Sequence, residues 1–125
     1  MTPLEAWHEV VRTRDASRLE RLLADDVVFH SPALHRPVHG KAPTMAYLVA
    51  AMQVIGNPSF RYVREFSSGD DALLEFDTDI DGVQVNGIDL LRFRDGQIVD
   101  FKVMVRPAKA LEAVMTRMAA LLQRH

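Results

Sequence analysis

The sequence feature that most constrains the fold is a change in hydrophobic periodicity at residues 56–58, Gly-Asn-Pro. Before this break, apolar residues recur at the three- and four-residue spacing of amphipathic helices, whereas after it they alternate as in strands. Two Asp-Gly dipeptides, at residues 81–82 and 95–96, favour tight hairpin turns because both central positions can adopt positive φ. The second half is therefore predicted to form an antiparallel meander, with strands over residues 59–66, 72–80, 83–94 and 97–106.

Predicted helices precede and follow this meander in the sequence. Leu4, Trp7 and Val11 share one face of a first helix, and a second short helix follows. A strand over residues 27–30 and a proline-containing loop over 31–40 lead to a third helix, and a proline begins the last one. This order predicts an α+β fold, with a strongly curved antiparallel sheet and the N-terminal helices packed over its concave face. Such an arrangement can enclose an apolar pocket.

Length and charge exclude several classes of partner. The 125 residues fit one domain, predicted over 1–125, with one hydrophobic core. The formal net charge is −2 and both signs are mixed along the chain, so nucleic acid and acidic membrane surfaces are not expected partners. The absence of cysteine excludes disulfides and thiolate chemistry. Without a signal-peptide pattern or a long apolar stretch, a cytoplasmic location is predicted.

Asp89 is the residue most suggestive of chemistry. Strand alternation places it on the same face as Val85, Gly87 and Leu91, so its carboxyl group is expected to stand among apolar neighbours. Burial disfavours the charged form and raises the pKa, which can leave the acid protonated near neutrality and able to donate a hydrogen bond. The alternative is a structural aspartate that is paired with a backbone amide, a tyrosine or a histidine.

Four short motifs follow one another along the chain: LADDVVF at 23–29, HGK at 39–41, GIDLLRF at 87–93 and DGQI at 95–98. Their order and spacing resemble the nuclear transport factor 2-like superfamily, in particular SnoaL-like polyketide cyclases and ketosteroid isomerases. The resemblance covers nearly the whole chain and implies that the curved sheet forms a cone-shaped barrel, with a ligand pocket and a dimer. It implies acid/base proton transfer on a hydrophobic carbonyl-containing substrate. The superfamily also has noncatalytic members, so the fold alone does not supply a function.

Carrying the isomerase site onto this sequence gives one match and two departures. Asp89 falls where those enzymes have their oxyanion-hole aspartate, but Ser31 falls on their general-base aspartate and Trp7 on their oxyanion-hole tyrosine. Serine cannot take a proton from carbon as a carboxylate does, and an indole lacks an acidic hydroxyl. Ordinary steroid isomerase activity is therefore not expected. His30 is the predicted base, provided that the loop turns it inward.

Five further residues are predicted to contact the ligand. Trp7 and Tyr47 lie on helices that would cover the pocket, and either ring could stack on a ligand or simply fill the core. Ser31, Phe76 and Val103 complete the predicted binding set.

No metal or cofactor is predicted. His30, His35 and His39 lie in or beside a proline-containing loop, but no cysteine or nearby acid completes a tetrahedral ligand set. The glycines are isolated and form no phosphate-binding motif.

The outer face of the predicted sheet also carries apolar residues. Ile88, Leu90 and Met104 fall there beside charged side chains, which predicts a homodimer through this face.

The sequence leaves two functions open: an isomerase- or cyclase-like enzyme, and a noncatalytic dimeric domain that binds an apolar ligand or acts as an accessory module. Epoxide hydrolysis fits less well, because it needs a second inward carboxylate.

Overall fold

Residues 1–123 are the part of the chain described by the structure, a computed structural model, and their long helices and strands follow the order that the periodicity predicts. The N-terminal half is largely helical and the C-terminal half is a run of long strands that ends in a helix. The elements are α1 (Pro3–Thr13), α2 (Ala16–Leu22), β1 (Leu23–His30), β2 (Val38–His39), α3 (Lys41–Val54), β3 (Arg61–Ser68), β4 (Asp71–Ile80), β5 (Val83–Arg94), β6 (Gln97–Arg106) and α4 (Ala108–Leu122).

Local sequence signals define both ends of α1. The Thr2 hydroxyl accepts a hydrogen bond from the Glu5 amide, and the Glu5 carboxylate accepts one from the Thr2 amide, so the two residues form a capping box. The helix ends at Arg14, which adopts the left-handed conformation with φ of 56° and donates its amide to the Val10 carbonyl. An arginine therefore occupies a C-terminal position that usually favours glycine.

The sheet has six strands in the order β2-β1-β6-β5-β4-β3. The four long strands form the predicted antiparallel meander. Asp81, Gly82, Asp95 and Gly96 all have positive φ in its two Asp-Gly turns. However, β1 pairs in parallel with β6, so the sheet is mixed rather than antiparallel throughout. It is also open, with β2 and β3 at its edges, and the predicted barrel is therefore a curved sheet that does not close.

The hydrophobic core lies between one face of this sheet and the helices. Inward side chains alternate along the long strands, and in β4 every second residue from Ala72 to Ile80 is buried. The α1 helix contributes Trp7, whose ring packs edge-on against Phe101 of β6 with centroids 5.0 Å apart. Within residues 1–123, no helix is both long and apolar enough to cross a membrane.

Candidate functional site

Asp89 lies in the middle of β5 on the face that the helices cover. Its side chain is buried, with 7% of the residue exposed, and its cross-strand neighbours are Leu74 and Val103. Among residues 1–123 it is the only buried residue with an ionisable acidic or basic side chain in the core. A charge there loses its hydration without gaining a counter-ion, so the site favours the neutral acid.

A tyrosine from the edge strand β3 holds one oxygen of this carboxyl group. The Tyr62 hydroxyl donates to Asp89 Oδ2 at 2.5 Å, and Trp7 Nε1 donates to the Tyr62 oxygen at 3.0 Å. The two hydrogen bonds connect α1, β3 and β5 through buried polar atoms. The other oxygen, Oδ1, makes no hydrogen bond to any residue in the described part of the chain. Oδ1 is therefore the oxygen that remains available to a ligand.

The environment shifts the pKa of both members of this pair. Burial raises the pKa of Asp89 to about 7, and the hydrogen bond from Tyr62 opposes part of that rise by stabilising the carboxylate. Burial and the neighbouring negative charge of Asp89 raise the pKa of Tyr62 well above its usual range. Tyr62 therefore stays a neutral donor, while Asp89 can exchange a proton near neutral pH.

A small apolar cavity lies directly beside the Asp89 carboxyl group. Its volume is about 60 Å³. Aromatic rings form much of its wall, and they come from α1, the loop before β3 and the strands of the meander: Trp7, Phe60, Tyr62, Phe76 and Phe101. Apolar walls exclude water and strengthen any hydrogen bond made inside.

A second, larger cavity adjoins the first. Its volume is about 200 Å³, and it shares Ala51, Ile55 and Val103 with the cavity beside Asp89. Its remaining wall comes from Phe29 of β1, from the loop after β1, from α3 and from α4, whose side chains there include Val114, Met115, Met118 and Leu122. Neither cavity alone reaches the several hundred Å³ of typical ligand sites. A polycyclic ligand would have to extend through both.

Gly87 fixes the position of one aromatic wall. It lies opposite Phe76 in the register of β4 and β5, two residues before Asp89. A Cβ atom at this position would come within 2.4 Å of the Phe76 ring and 2.6 Å of the Met104 carbonyl oxygen. The absence of a side chain at Gly87 therefore leaves space for the ring that lines the cavity.

A comparison with protein families decides the relationship of the chain. A family model described as a SnoaL-like domain matches residues 4–101. The chain belongs to the SnoaL-like domain family. A search of curated proteins found no match to this SnoaL-like domain.

Solved structures support the same assignment. One of them is described as a steroid delta-isomerase from Pseudomonas aeruginosa and is 38% identical in sequence, with a TM-score of 0.92. The match covers 98% of this chain and 90% of the Pseudomonas chain. An uncharacterised protein with a cystatin-like fold from Silicibacter pomeroyi is 34% identical with a TM-score of 0.89, over 97% and 85% of the two chains. A nuclear transport factor 2-like protein from Mesorhizobium loti, at 22% identity and a TM-score of 0.72 over 84% and 88%, shares the fold.

All five residues predicted to contact a ligand line the two cavities of the SnoaL-like domain. Trp7 and Phe76 lie with Asp89 in the smaller cavity, Ser31 and Tyr47 lie in the larger one, and Val103 contributes to both. Their role in binding remains a prediction, but the fold brings them together around two adjoining apolar cavities.

The structure does not bring His30 to Asp89, and this corrects the expectation that it turns inward as a base. Phe29 and His30 point to opposite faces of β1, and the Phe29 ring packs against Phe101 inside. His30 Nε2 instead lies 3.0 Å from Asp100 Oδ1, and His30 lines neither cavity. In residues 1–123, no three histidine or acidic side chains gather closely enough to hold a metal ion.

Tyr62 is the functional candidate that the sequence analysis missed. In the comparison with the isomerases, Trp7 of α1 falls on the position of their tyrosine and has no hydroxyl group. In the structure, Tyr62 of β3 supplies a hydroxyl to Asp89 instead. Tyr62 and Asp89 are 27 residues apart and lie on strands that are not adjacent. The available signal was a single inward-facing aromatic residue in an otherwise exposed strand.

Proposed function

We propose that this SnoaL-like domain binds a hydrophobic carbonyl compound and moves a proton between carbon atoms of that compound through Asp89. The observation that carries the proposal is the state of the Asp89 carboxyl group. Tyr62 holds one of its oxygens, the other is left for a ligand, and its pKa is about 7. An acid with a pKa near the working pH can both accept and return a proton.

The proposed step begins with ionised Asp89. The carboxylate removes a proton from the carbon between the carbonyl and the double bond of a β,γ-unsaturated ketone, the C–H electron pair forms a conjugated dienolate, and Asp89 becomes neutral. The same group then returns the proton to the γ-carbon at the far end of the dienolate, so that the carbonyl re-forms, the double bond moves into conjugation with it and the carboxylate is restored. Tyr62 is a positioning residue in the first half, because its hydroxyl holds the carboxylate.

The hydrogen-bond chain from Trp7 gives Tyr62 a second role. Once Asp89 is protonated, it no longer requires the Tyr62 proton, so the hydroxyl can donate to the enolate oxygen. Trp7 Nε1 keeps the Tyr62 oxygen in place while its proton changes acceptor. A donor that is already oriented in an apolar cavity stabilises developing negative charge more than water does.

The comparison with the Pseudomonas aeruginosa structure supports isomerisation as the reaction type. That protein is described as a steroid delta-isomerase and is 38% identical over 98% of this chain. Two residues depart from the ketosteroid isomerase pattern that the sequence resembles: Ser31, which falls on the base position, lies in the larger cavity away from Asp89, and Trp7, which falls on the tyrosine position, donates to Tyr62. We therefore propose an unsaturated ketone as the substrate class without assigning it to steroids.

Hydrogen exchange in deuterated water tests the proposal. The protein is incubated with β,γ-unsaturated ketones, both steroidal and monocyclic, and exchange next to the carbonyl is followed by NMR while ultraviolet absorbance follows the conjugated product. Wild type should catalyse exchange, and Asp89→Asn should abolish it while remaining folded. Asp100→Asn, which removes a carboxylate from the outer face of β6, should retain the wild-type rate. Equal exchange by wild type and Asp89→Asn would contradict the proposal.

A noncatalytic binding domain is the second candidate. One observation favours it: in the part of the chain that the structure describes, Asp89 is the only carboxylate that lines either cavity. A reaction that needs separate acid and base groups would lack one of them. Ketones that raise the melting temperature of wild type without any exchange would support this candidate.

We also propose that the outer sheet face binds a second copy of this chain. Paired residues across three strands, Phe66, Leu73 and Leu90, form an apolar row on that face, and Phe66 is 61% exposed. Met104 continues the apolar surface on β6 and is 49% exposed. Ion pairs such as Arg92 with Asp71 flank this surface and place both charge signs beside it. A face with both signs can complement itself across a two-fold axis.

A further inference from the structure

One face of α1 forms a path from the buried polar groups to solvent. Trp7, Val11 and Arg14 all line the smaller cavity, and their spacing of four and three residues places them in one row. Exposure increases along the row: Trp7 is buried, Val11 is half-buried and Arg14 is exposed. Because Trp7 hydrogen-bonds to Tyr62, the inner end of the row marks the Asp89 site, and the Arg14 end marks the mouth of the cavity.

Arg14 differs from the arginines next to it in the chain. Arg12 forms an ion pair with Glu9, and Arg18 lies 3.7 Å from Asp15. Arg14 has no side-chain hydrogen bond or ion pair to any residue within 1–123. It is also the only basic residue from this part of the chain that lines either of the two cavities. Its guanidinium group is thus free to bind an anion at the cavity mouth.

The backbone at Arg14 gives an independent reason to look for a function there. Its φ of 56° lies in the left-handed region, where a residue with a Cβ atom is disfavoured by roughly 1–2 kcal/mol. Glycine or asparagine would end α1 at lower cost. A side chain that is kept in an unfavourable conformation beside a cavity suggests a role for that side chain.

We infer that the ligand carries a carboxylate group which Arg14 binds at the cavity mouth while the carbonyl group lies at Asp89 and Tyr62. This inference rests on the proposed function and specifies its substrate class. Arg14 is seven positions after Trp7, and at 1.5 Å per residue the two levels are about 10 Å apart along the helix. The ligand is therefore an elongated apolar keto acid, with its two polar groups about that distance apart.

The electrostatics favour this orientation over its reverse. A guanidinium group is always charged and can form two parallel hydrogen bonds to a carboxylate. At the inner end, the carboxylate of a ligand would lose its hydration beside the acidic side chain of Asp89, whereas a ketone oxygen carries no charge to desolvate. The ketone should consequently enter first and the acid should stay at the solvent end.

The test uses a monocyclic pair, 3-(4-acetylphenyl)propanoic acid and its methyl ester, which differ in this charge and in one methyl group. Their acetyl and carboxyl groups lie at opposite ends of an elongated apolar molecule. Calorimetry measures the affinity of both for wild type, Arg14→Gln, Arg14→Lys and Arg12→Gln. Arg12→Gln is the matched control, because it removes one positive charge from the same helix at a residue that does not line the cavity.

Wild type should bind the acid about tenfold more tightly than the ester, as expected for one charged hydrogen-bonding contact. Arg14→Gln should lose this preference and keep its affinity for the ester, Arg14→Lys should retain part of it, and Arg12→Gln should retain it fully. Added salt should reduce the preference in wild type. Equal binding of acid and ester by wild type, or the same preference in Arg14→Gln, would overturn the inference.

Asp89→Asn separates this outcome from failure of the proposed function. Suppose that wild type binds the acid and the ester equally well, and that Asp89→Asn alters the affinity for the ester. Only the role of Arg14 is then refuted. If neither compound binds, or if binding does not depend on Asp89, the proposed function fails and the inference fails with it.

Discussion

The contribution of Asp89 to stability should depend on pH in the direction opposite to that of a carboxylate held by an ion pair, and Asp89→Asn should remove that dependence. The pKa of Asp89 rises from an ordinary value of 3.8 to about 7 in the folded protein. The folded state therefore holds a proton that the unfolded state has released over this range. The resulting stabilisation is complete below pH 3.8 and is lost as the pH rises through about 7. Asparagine has no such proton to lose.

The size of the effect follows from the two pKa values. Between about pH 5 and about pH 8, linkage gives a loss of roughly 2.5 kcal/mol in wild type for this one group. The difference in unfolding free energy between wild type and Asp89→Asn should change by that amount, in favour of the variant at the higher pH. Other groups titrate in both proteins and cancel in the difference.

Urea unfolding at a series of pH values measures this difference. The fluorescence of Trp7, the single tryptophan, reports the transition because the indole is buried and bonded to Tyr62. Asp71→Asn is the control: the exposed carboxyl group of Asp71 has its pKa lowered by Arg92, so its stabilising contribution is lost only in more acidic solution. A difference between wild type and Asp89→Asn that stays constant from about pH 5 to about pH 8 would refute the buried, raised-pKa acid on which the proposed chemistry depends.

Three further predictions concern the support of the site. Tyr62→Phe should raise the pKa of Asp89 further and so move the pH profile of proton exchange to higher pH. It should also lower the free energy of unfolding by about 1–3 kcal/mol, because a buried indole donor loses its acceptor. An unshifted profile would contradict the role of Tyr62. Gly87→Ala should push the opposing phenylalanine ring toward the cavity and destabilise the fold by roughly 1–3 kcal/mol in urea unfolding; unchanged stability and ligand affinity would show that the ring has room to move. Met104→Glu should halve the mass measured by light scattering if the outer face pairs two copies; an unchanged dimer mass would locate the interface elsewhere.

The sequence predicted the fold well where the signals were local. Alternation along residues 83–94 correctly placed Asp89 inward, because the side-chain period of a strand does not depend on its partners. The same rule, applied to β1, would have placed His30 outward, since its neighbours Val27 and Phe29 are the buried positions. The prediction that His30 points inward rested on the need for a base and not on the alternation of side chains along β1.

Pairings between distant parts of the chain could not be predicted in this way. The parallel contact of β1 with β6 joins Phe29 to Phe101, and no local motif specifies it. The bond from Tyr62 to Asp89 likewise depends on how strongly the sheet curves, because β4 lies between the two strands. Strand parity gives the face of a residue but not the distance across a concave surface.

The shared wall between the two cavities divides the interior between the two ends of the chain. The first helix and the sheet surround the acid, whereas the last helix, Ala108–Leu122, closes the larger cavity. The residues that match the SnoaL-like family model end at 101, before this helix begins. Substitutions among its methionines and leucines could therefore change which molecules are admitted without altering the groups that handle the proton. In this arrangement, ligand selectivity can evolve at the C-terminus independently of the chemistry.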